Sequence, residues 1–191
     1  FHQAVYRRED IDAAVAELER DGADALLVIC LTYSPSQLAL PALSRTRLPI
    51  VVWNTQELYA VDETFDGSMM TANHGVHGTQ DLCNVLLRSG VRFEYVTSHL
   101  NDAGSLAGLE DVLVAAAAAG RLRRARLGLL GYPFPGMGDL GLDTTHLAAT
   151  LGCHWRMLAV EDFNQRAANA GGEELAHLVA EYRQTYDLAS D

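Results

Sequence analysis

Basic residues are scarce in this chain. Lysine and arginine together number 14 against 25 acidic residues, for a formal net charge of −11. Nucleic-acid surfaces are built from clustered cations, so this balance excludes one. The single basic run, Arg121-Leu122-Arg123-Arg124, follows Gly120, which is expected to end a helix. Cations suit the carbonyl end of a helix, so the run reads as helix-end or solvated surface rather than an anion site. Cysteines are few, odd in number and far apart: Cys30, Cys83 and Cys153. That usage excludes a disulfide framework and a cysteine metal cluster, and it fits a reducing, cytoplasmic location. Each thiol is read as a small apolar side chain. No apolar stretch reads as both long and charge-free enough to span a bilayer, and residues 115–119 are an alanine run inside a helix. No membrane partner is expected.

Several catalytic signatures are also missing. There is no GxSxG elbow for nucleophilic catalysis and no HExxH zinc motif. The loop Gly131-Tyr132-Pro133-Phe134-Pro135-Gly136-Met137-Gly138 lacks both an ordered GxGxxG and a Walker lysine, which argues against a nucleotide there. No initiating methionine and no signal peptide are present, and the usual leading strand and helix are missing, so truncation at both ends is expected.

What is present is a regular alternation of periods in a chain of 191 residues, 49% hydrophobic, enough to bury a core. Residues 1–6 suggest a short strand. Residues 8–20 carry a helical stripe at Ile11, Val15 and Leu18, and residues 25–31 are a continuous apolar run suited to a central parallel strand. Ser34-Pro35-Ser36-Gln37 reads as an N-cap, a first-position proline and a capping-box glutamine, starting a helix to about Ser44. Residues 49–53 predict a buried strand and 54–68 a polar loop. A helix through Leu82, Val85 and Leu86 to Gly90, a strand over 92–97 and a helix over 105–119 follow. Beyond the basic run come a strand over 125–130, a helix through Leu147, a strand over 154–159 and a final helix over 173–186. Such alternation predicts an α/β fold of two Rossmann- or flavodoxin-like parallel-sheet units, the second incomplete. The domains are expected at 1–122 and 123–191.

Three segments follow strand carboxyl ends and should share one edge: Thr32-Tyr33-Ser34, Asn54-Thr55-Gln56-Glu57, and Asn73-His74-Gly75-Val76-His77-Gly78-Thr79-Gln80-Asp81. Ligands of open α/β sheets bind at that edge. Hydroxyls, amides and imidazoles there suit a polyhydroxylated or carbonyl ligand, whose oxygens need directional partners. Asn54 and Thr55 can equally cap a turn. His74 and His77 lie three apart and would share a helix face, but two imidazoles do not complete a metal site, so no metal ligand is assigned here. His77 suits acid–base work or substrate hydrogen bonding. Gly75 and Gly78 weaken a helix, and their expected use is close approach of a backbone or a ligand. His99, His146 and His154 stand alone and read as caps, surface residues or satisfied core histidines.

Four of these places resemble the L-arabinose isomerases and the wider L-fucose isomerase-like group, in the same order along the chain. They are Leu26-Leu27-Val28-Ile29-Cys30-Leu31-Thr32-Tyr33-Ser34-Pro35-Ser36, residues 49–56 with their Thr-Gln ending, residues 70–81, and Leu178-Val179-Ala180-Glu181-Tyr182. The third looks like the family's Met-Asn-x-Asn-Gln-x-Ala-His-Gly-x-x-Glu segment. His74 stands where the family usually has glutamine, Gly75 where it often has threonine, and Asp81 in place of a glutamate. The resemblance implies aldose–ketose interconversion, with His77 as a catalytic residue touching the sugar. By that match Asn73 would hold the loop or the sugar hydroxyls, and together with the polar edge the expected substrate-binding residues are Asn73, His74, Gln56 and Tyr33. The resemblance further implies a homo-oligomer whose active site is shared between subunits, and a divalent metal, usually manganese. That metal is held by two glutamates and two histidines of a later, C-terminal catalytic domain for which this chain has no match. The chain alone is therefore expected to bind no metal and to be inactive. The same polar edge also fits a non-catalytic sugar-binding α/β module, or an oligomerisation domain with a relict site.

Overall fold

A computed structural model describes residues 3–138 and 141–187. It divides into two compact units, 1–124 and 125–191. The first unit runs α1 (Arg8–Arg20), β1 (Leu26–Val28), α2 (Ser36–Arg45), β2 (Ile50–Asn54), α3 (Gly67–Ala72), α4 (Gly75–Arg88), β3 (Glu94–Thr97) and α5 (Ala103–Arg124). Its strands form one parallel sheet in the order β1-β2-β3, with Leu26 opposite Ile50 and Val52 opposite Tyr95.

The central strand β2 is apolar from Ile50 to Trp53, where both its faces are covered. Ile50 and Val52 point to one side, where they meet Leu43 of α2 and Leu82 and Leu86 of α4, with Val15 and Leu18 of α1 packed around them. Val51 and Trp53 point to the other side, onto Leu109 and Ala116 of α5. The two-residue period of a strand divides the core in this way. Fully burying a valine contributes about 1.5–3 kcal/mol, and Val51 and Val52 are both wholly buried.

The second unit runs β4 (Arg126–Leu130), α6 (Thr144–Leu151), β5 (His154–Leu158), α7 (Val160–Asn169) and α8 (Glu173–Thr185). β4 and β5 pair in parallel, from Arg126 opposite His154 to Leu130 opposite Leu158. Asp143 caps α6 by accepting from His146 N at 2.9 Å, and Gly152 ends the helix in the left-handed conformation at φ 75°. The α/β class with two small parallel sheets is as the periodicity predicts.

Local expectations are corrected in several places. The apolar run 25–31, read as a central strand, forms only the three-residue strand β1 at the end of the order β1-β2-β3, and Leu27 and Leu31 are exposed. Residues 3–6 are irregular rather than a strand, and residues 1 and 2 lie outside the described set. The helix expected to be capped by Ser34 starts one residue later, with Pro35 at the cap position and no side-chain cap of its own. The polar loop ends in a short helix, α3, whose N-cap Asp66 accepts from Ser68 N and Met69 N. The helix α7 has no counterpart in the sequence reading.

A further correction concerns Gly120, which does not stop α5. The helix continues through it to Arg124, because a glycine is required there: a Cβ would strike the Asp24 carbonyl oxygen. The basic run is thus the last turn of the helix, and Arg121 and Arg124 both pair with Asp24. These two arginines hold the Asp24 carboxyl below its ordinary range, the Arg121 hydrogen bond being the largest cause. By length and composition alone, α5 is also apolar enough to cross a membrane, contrary to the sequence reading. Here it packs along β2 and β3, burying Leu109, Ala116 and Gly120.

Candidate functional site

The site is built where α4 presses onto the loop that leaves β1. A Cβ on Gly75 would run into the Cys30 carbonyl oxygen, and one on Gly78 would lie 2.9 Å from Thr32 O and 3.1 Å from Ser34 N. Both glycines are buried, so the close approach anticipated for them is to another stretch of backbone. One turn further along, Thr79 is buried and its hydroxyl donates back to Gly75 O at 3.0 Å. Asp81 then reaches across to α2, its Oδ2 accepting from Ser36 N at 3.0 Å. The cap that Ser34 was expected to supply locally therefore comes from α4. Asp81→Ala should lower unfolding stability by about 1 kcal/mol, the usual cost of a lost N-cap. Asp81→Asn, which keeps an acceptor oxygen, should cost less, and urea denaturation of both variants separates the two.

This docking brings three rings together. Tyr33, His74 and His77 form a row, with ring centroids 5.7 Å apart for Tyr33–His74 and 4.7 Å for His74–His77. His74 is half-buried in the middle, while Tyr33 and His77 face solvent. Asn73, the residue between α3 and α4, is buried with only 6% of its surface exposed. Its Oδ1 accepts from Leu58 N at 3.0 Å and so anchors the loop after β2. Among the described residues its Nδ2 is a buried donor without a partner, and so is the hydroxyl of Thr55 on the loop after β2. Unsatisfied buried polar atoms are uncommon and costly, and a third is the indole N–H of Trp155 in the second unit. Gln56 is half-buried, and among the described residues its side chain makes no hydrogen bond. Asn54 is used differently: its amide donates to Thr97 Oγ1 at 3.2 Å, across the β2–β3 ladder.

His99 joins the same sheet edge, a position that the sequence reading did not assign. Asn101 N donates to its Nδ1 at 3.1 Å, so Nδ1 is the acceptor and Nε2 carries the hydrogen that reaches Glu57 O at 3.1 Å. Tyr59 meets this imidazole edge-on at 5.2 Å. His99 therefore ties the loop after β3 to the loop after β2. A signal for it was available: it lies two residues past the end of β3, as Gln56 lies two past the end of β2. Thr55 was similarly read as a possible turn cap, and only its burial distinguishes it.

The thiols nearby are poor nucleophiles. Burial pushes the Cys30 thiol up despite the opposing hydrogen bond of Thr79. Burial, helped by Cys30, takes Cys83 to about 11. Both stay protonated at neutral pH, in keeping with their reading as apolar side chains. For metal binding, the site offers the imidazoles of His74 and His77. Among the described residues no group of three or more His, Cys, Asp or Glu side chains converges. Two imidazoles do not match the oxygen-rich shell of a hard divalent cation.

Together these features define a parallel α/β module that gathers imidazole, phenol, amide and hydroxyl groups at the carboxyl edge of its sheet. No family model matches the chain. It is similar to the L-arabinose isomerase of Mycolicibacterium smegmatis, at 24% identity over 163 residues, 84% of this chain and 32% of that protein. It is similar also to the L-arabinose isomerase of Clavibacter sepedonicus, at 23% identity over 178 residues, 91% of this chain and 35% of that protein. The chain thus resembles L-arabinose isomerases over most of its length, and spans about a third of the length of these curated relatives.

Proposed function

We propose that the chain supplies the sugar-contacting part of an aldose–ketose isomerase of the arabinose/fucose isomerase-like type. The observation that carries this reading is the row Tyr33-His74-His77 beside the buried, unpartnered Nδ2 of Asn73, all at the carboxyl edge of the sheet. A linear sugar presents a carbonyl and a line of hydroxyls, each needing a donor or an acceptor in a fixed direction. Tyr33 and Gln56 offer such groups near the surface, and Asn73 and Thr55 offer them from within. The imidazole of His77 reaches solvent, so a ring nitrogen can hydrogen-bond a sugar oxygen and give or take a proton there. His74 packs against both its neighbours and fixes how that ring is turned. The names of the two similar proteins support the same chemistry.

Isomerisation of this class moves the C2 hydrogen to C1 and the O2 proton to O1, so C1 is reduced as C2 is oxidised and no external oxidant is needed. Manganese or another divalent metal belongs to the proposal for the whole protein, but the described residues do not fit it, and its ligands are assigned outside them. A homo-oligomer that shares each site between subunits is proposed with it, and so is a cytoplasmic setting, supported by three free cysteines.

The test is ketose formation by the whole protein from L-arabinose, L-fucose and related aldoses, with and without Mn²⁺. Metal-dependent turnover is expected. Saturable sugar binding without turnover would instead make the chain a sugar-binding module, and the absence of both binding and turnover would overturn the proposal.

A further inference from the structure

The opposite edge of the first sheet holds a second candidate site, independent of the sugar reading. A cavity of about 790 Å³ opens there, where the chain enters β2 and β3 and where α5 ends. Its apolar walls include Leu48, Ile50, Phe93 and Val112, and its charged groups are Arg47, Arg92, Arg123 and Glu94. Three arginines and one carboxylate are the reverse of the balance in the chain as a whole, which carries 25 acidic and 14 basic residues.

The other arginines of this region are neutralised. Arg45 pairs with Asp12, and Arg121 and Arg124 pair with Asp24. Arg47, Arg92 and Arg123 make no ion pair among the described residues. Arg123 instead donates to the backbone oxygen of Arg47 at 3.4 Å, which brings these two cationic residues together. Arg123 lies in the last turn of α5, where a cation is favourable, but no helix end accounts for Arg47 and Arg92. α2, α4 and α5 each finish with an arginine of their own, Arg45, Arg88 and Arg124, while Arg47 and Arg92 lie outside any helix. The basic run is therefore divided by the helix: two of its arginines face Asp24, and the third faces the cavity.

We propose that this cavity binds a small, multiply charged organic anion, a phosphate ester or a polycarboxylate. Arg47, Arg92 and Arg123 hold the charged group, and the carbon skeleton lies against Leu48, Ile50 and Phe93. Guanidinium groups suit such anions because their paired N–H donors match carboxylate and phosphate oxygens. The cavity volume is that of an ordinary small-molecule site.

Calorimetric titration of the protein with adenosine monophosphate, citrate and uncharged adenosine tests this. One of the two anions is expected to bind saturably at one site, with Kd below about 1 mM at low salt. Preference for the nucleotide assigns a phosphate ester, and preference for citrate a polycarboxylate. R92Q and R123Q should each weaken binding roughly tenfold, while R8Q, an equal change in charge elsewhere, should leave it unchanged. A second reading needs no variant: raising NaCl from about 0.05 to 0.5 M should weaken anion binding several-fold, because exposed charges are screened. The proposal is overturned if neither anion binds up to about 10 mM, a concentration far above any specific affinity for such a site. It is overturned also if adenosine binds as well as its phosphate, or if R92Q and R123Q bind like the parent.

Discussion

His77→Ala in the whole protein should lower kcat/KM for aldose–ketose conversion by roughly 10²–10⁴, the usual worth of a positioned general acid or base. The fold should survive, because the His77 side chain is exposed and its packing is confined to one edge contact with His74. Circular dichroism and thermal unfolding of the variant would confirm that. His77→Gln separates the two roles open to the imidazole. A glutamine can hydrogen-bond a sugar oxygen but cannot transfer a proton near neutral pH. If His77 only orients the sugar, His77→Gln should recover most of the lost rate and act mainly on KM; if it transfers a proton, kcat stays low. Unchanged turnover in His77→Ala would remove this residue from the site and with it the central element of the proposed function.

The second large effect is expected at two glycines with a similar geometry. In Gly75→Ala the new methyl meets the Cys30 carbonyl oxygen, and in Gly120→Ala it meets that of Asp24. Each clash is with backbone, so no side chain can rotate away. The helix must lift from its neighbour or the strand connection must shift. Overpacking of this kind costs about 3 kcal/mol and occasionally more, a large fraction of the stability of a domain this size. Gly108→Ala supplies the opposite sign within the same helix as Gly120. A Cβ there meets nothing within 4 Å, so the substitution should stabilise by up to about 1 kcal/mol through helix propensity. Urea unfolding of the three variants is the measurement. If Gly75→Ala and Gly120→Ala unfold at the parent's midpoint, the close approaches of α4 to β1 and of α5 to Asp24 are wrong.

Much of the fold is legible in the order of residues. Residues 49–53 predict a buried strand, and Ile50, Val51, Val52 and Trp53 do divide between two helical layers, whereas the run 25–31, read as a central strand, forms only the short edge strand β1. The helix α1 occupies the span that its 3.6-residue stripe predicts. Readings failed where a local signal was overruled by a contact distant in sequence. Ser34-Pro35-Ser36-Gln37 has the composition of a capping box, yet the cap of α2 is Asp81, 45 residues away. Gly120 resembles a helix stop, but its missing side chain is used for close packing against Asp24, and the helix runs on. The helix α7 went unread between a strand and a Gly-Gly step. It carries only two large apolar residues, Val160 and Phe163, and both are exposed, so no buried stripe marks it.

For the site, the sequence by itself determined which groups are available and on which edge they fall. Strand periodicity places residues 32–34, 54–57 and 73–81 after parallel strands, and parallel strands end on one side. Tertiary structure alone decided what each group does there. It set Tyr33, His74 and His77 in a row, turned Asn54 into the β2–β3 ladder, pinned His99 through both ring nitrogens, and left Asn73 Nδ2 and Thr55 Oγ1 buried without partners. It also sorted the basic run, giving Arg121 and Arg124 to Asp24 and Arg123 to the cavity at the far edge. The physical reason is the range of the interactions. Periodicity and propensity act over a few residues and so can be read along the chain. Hydrogen bonds and ion pairs act over about 3 Å between groups that only folding brings together.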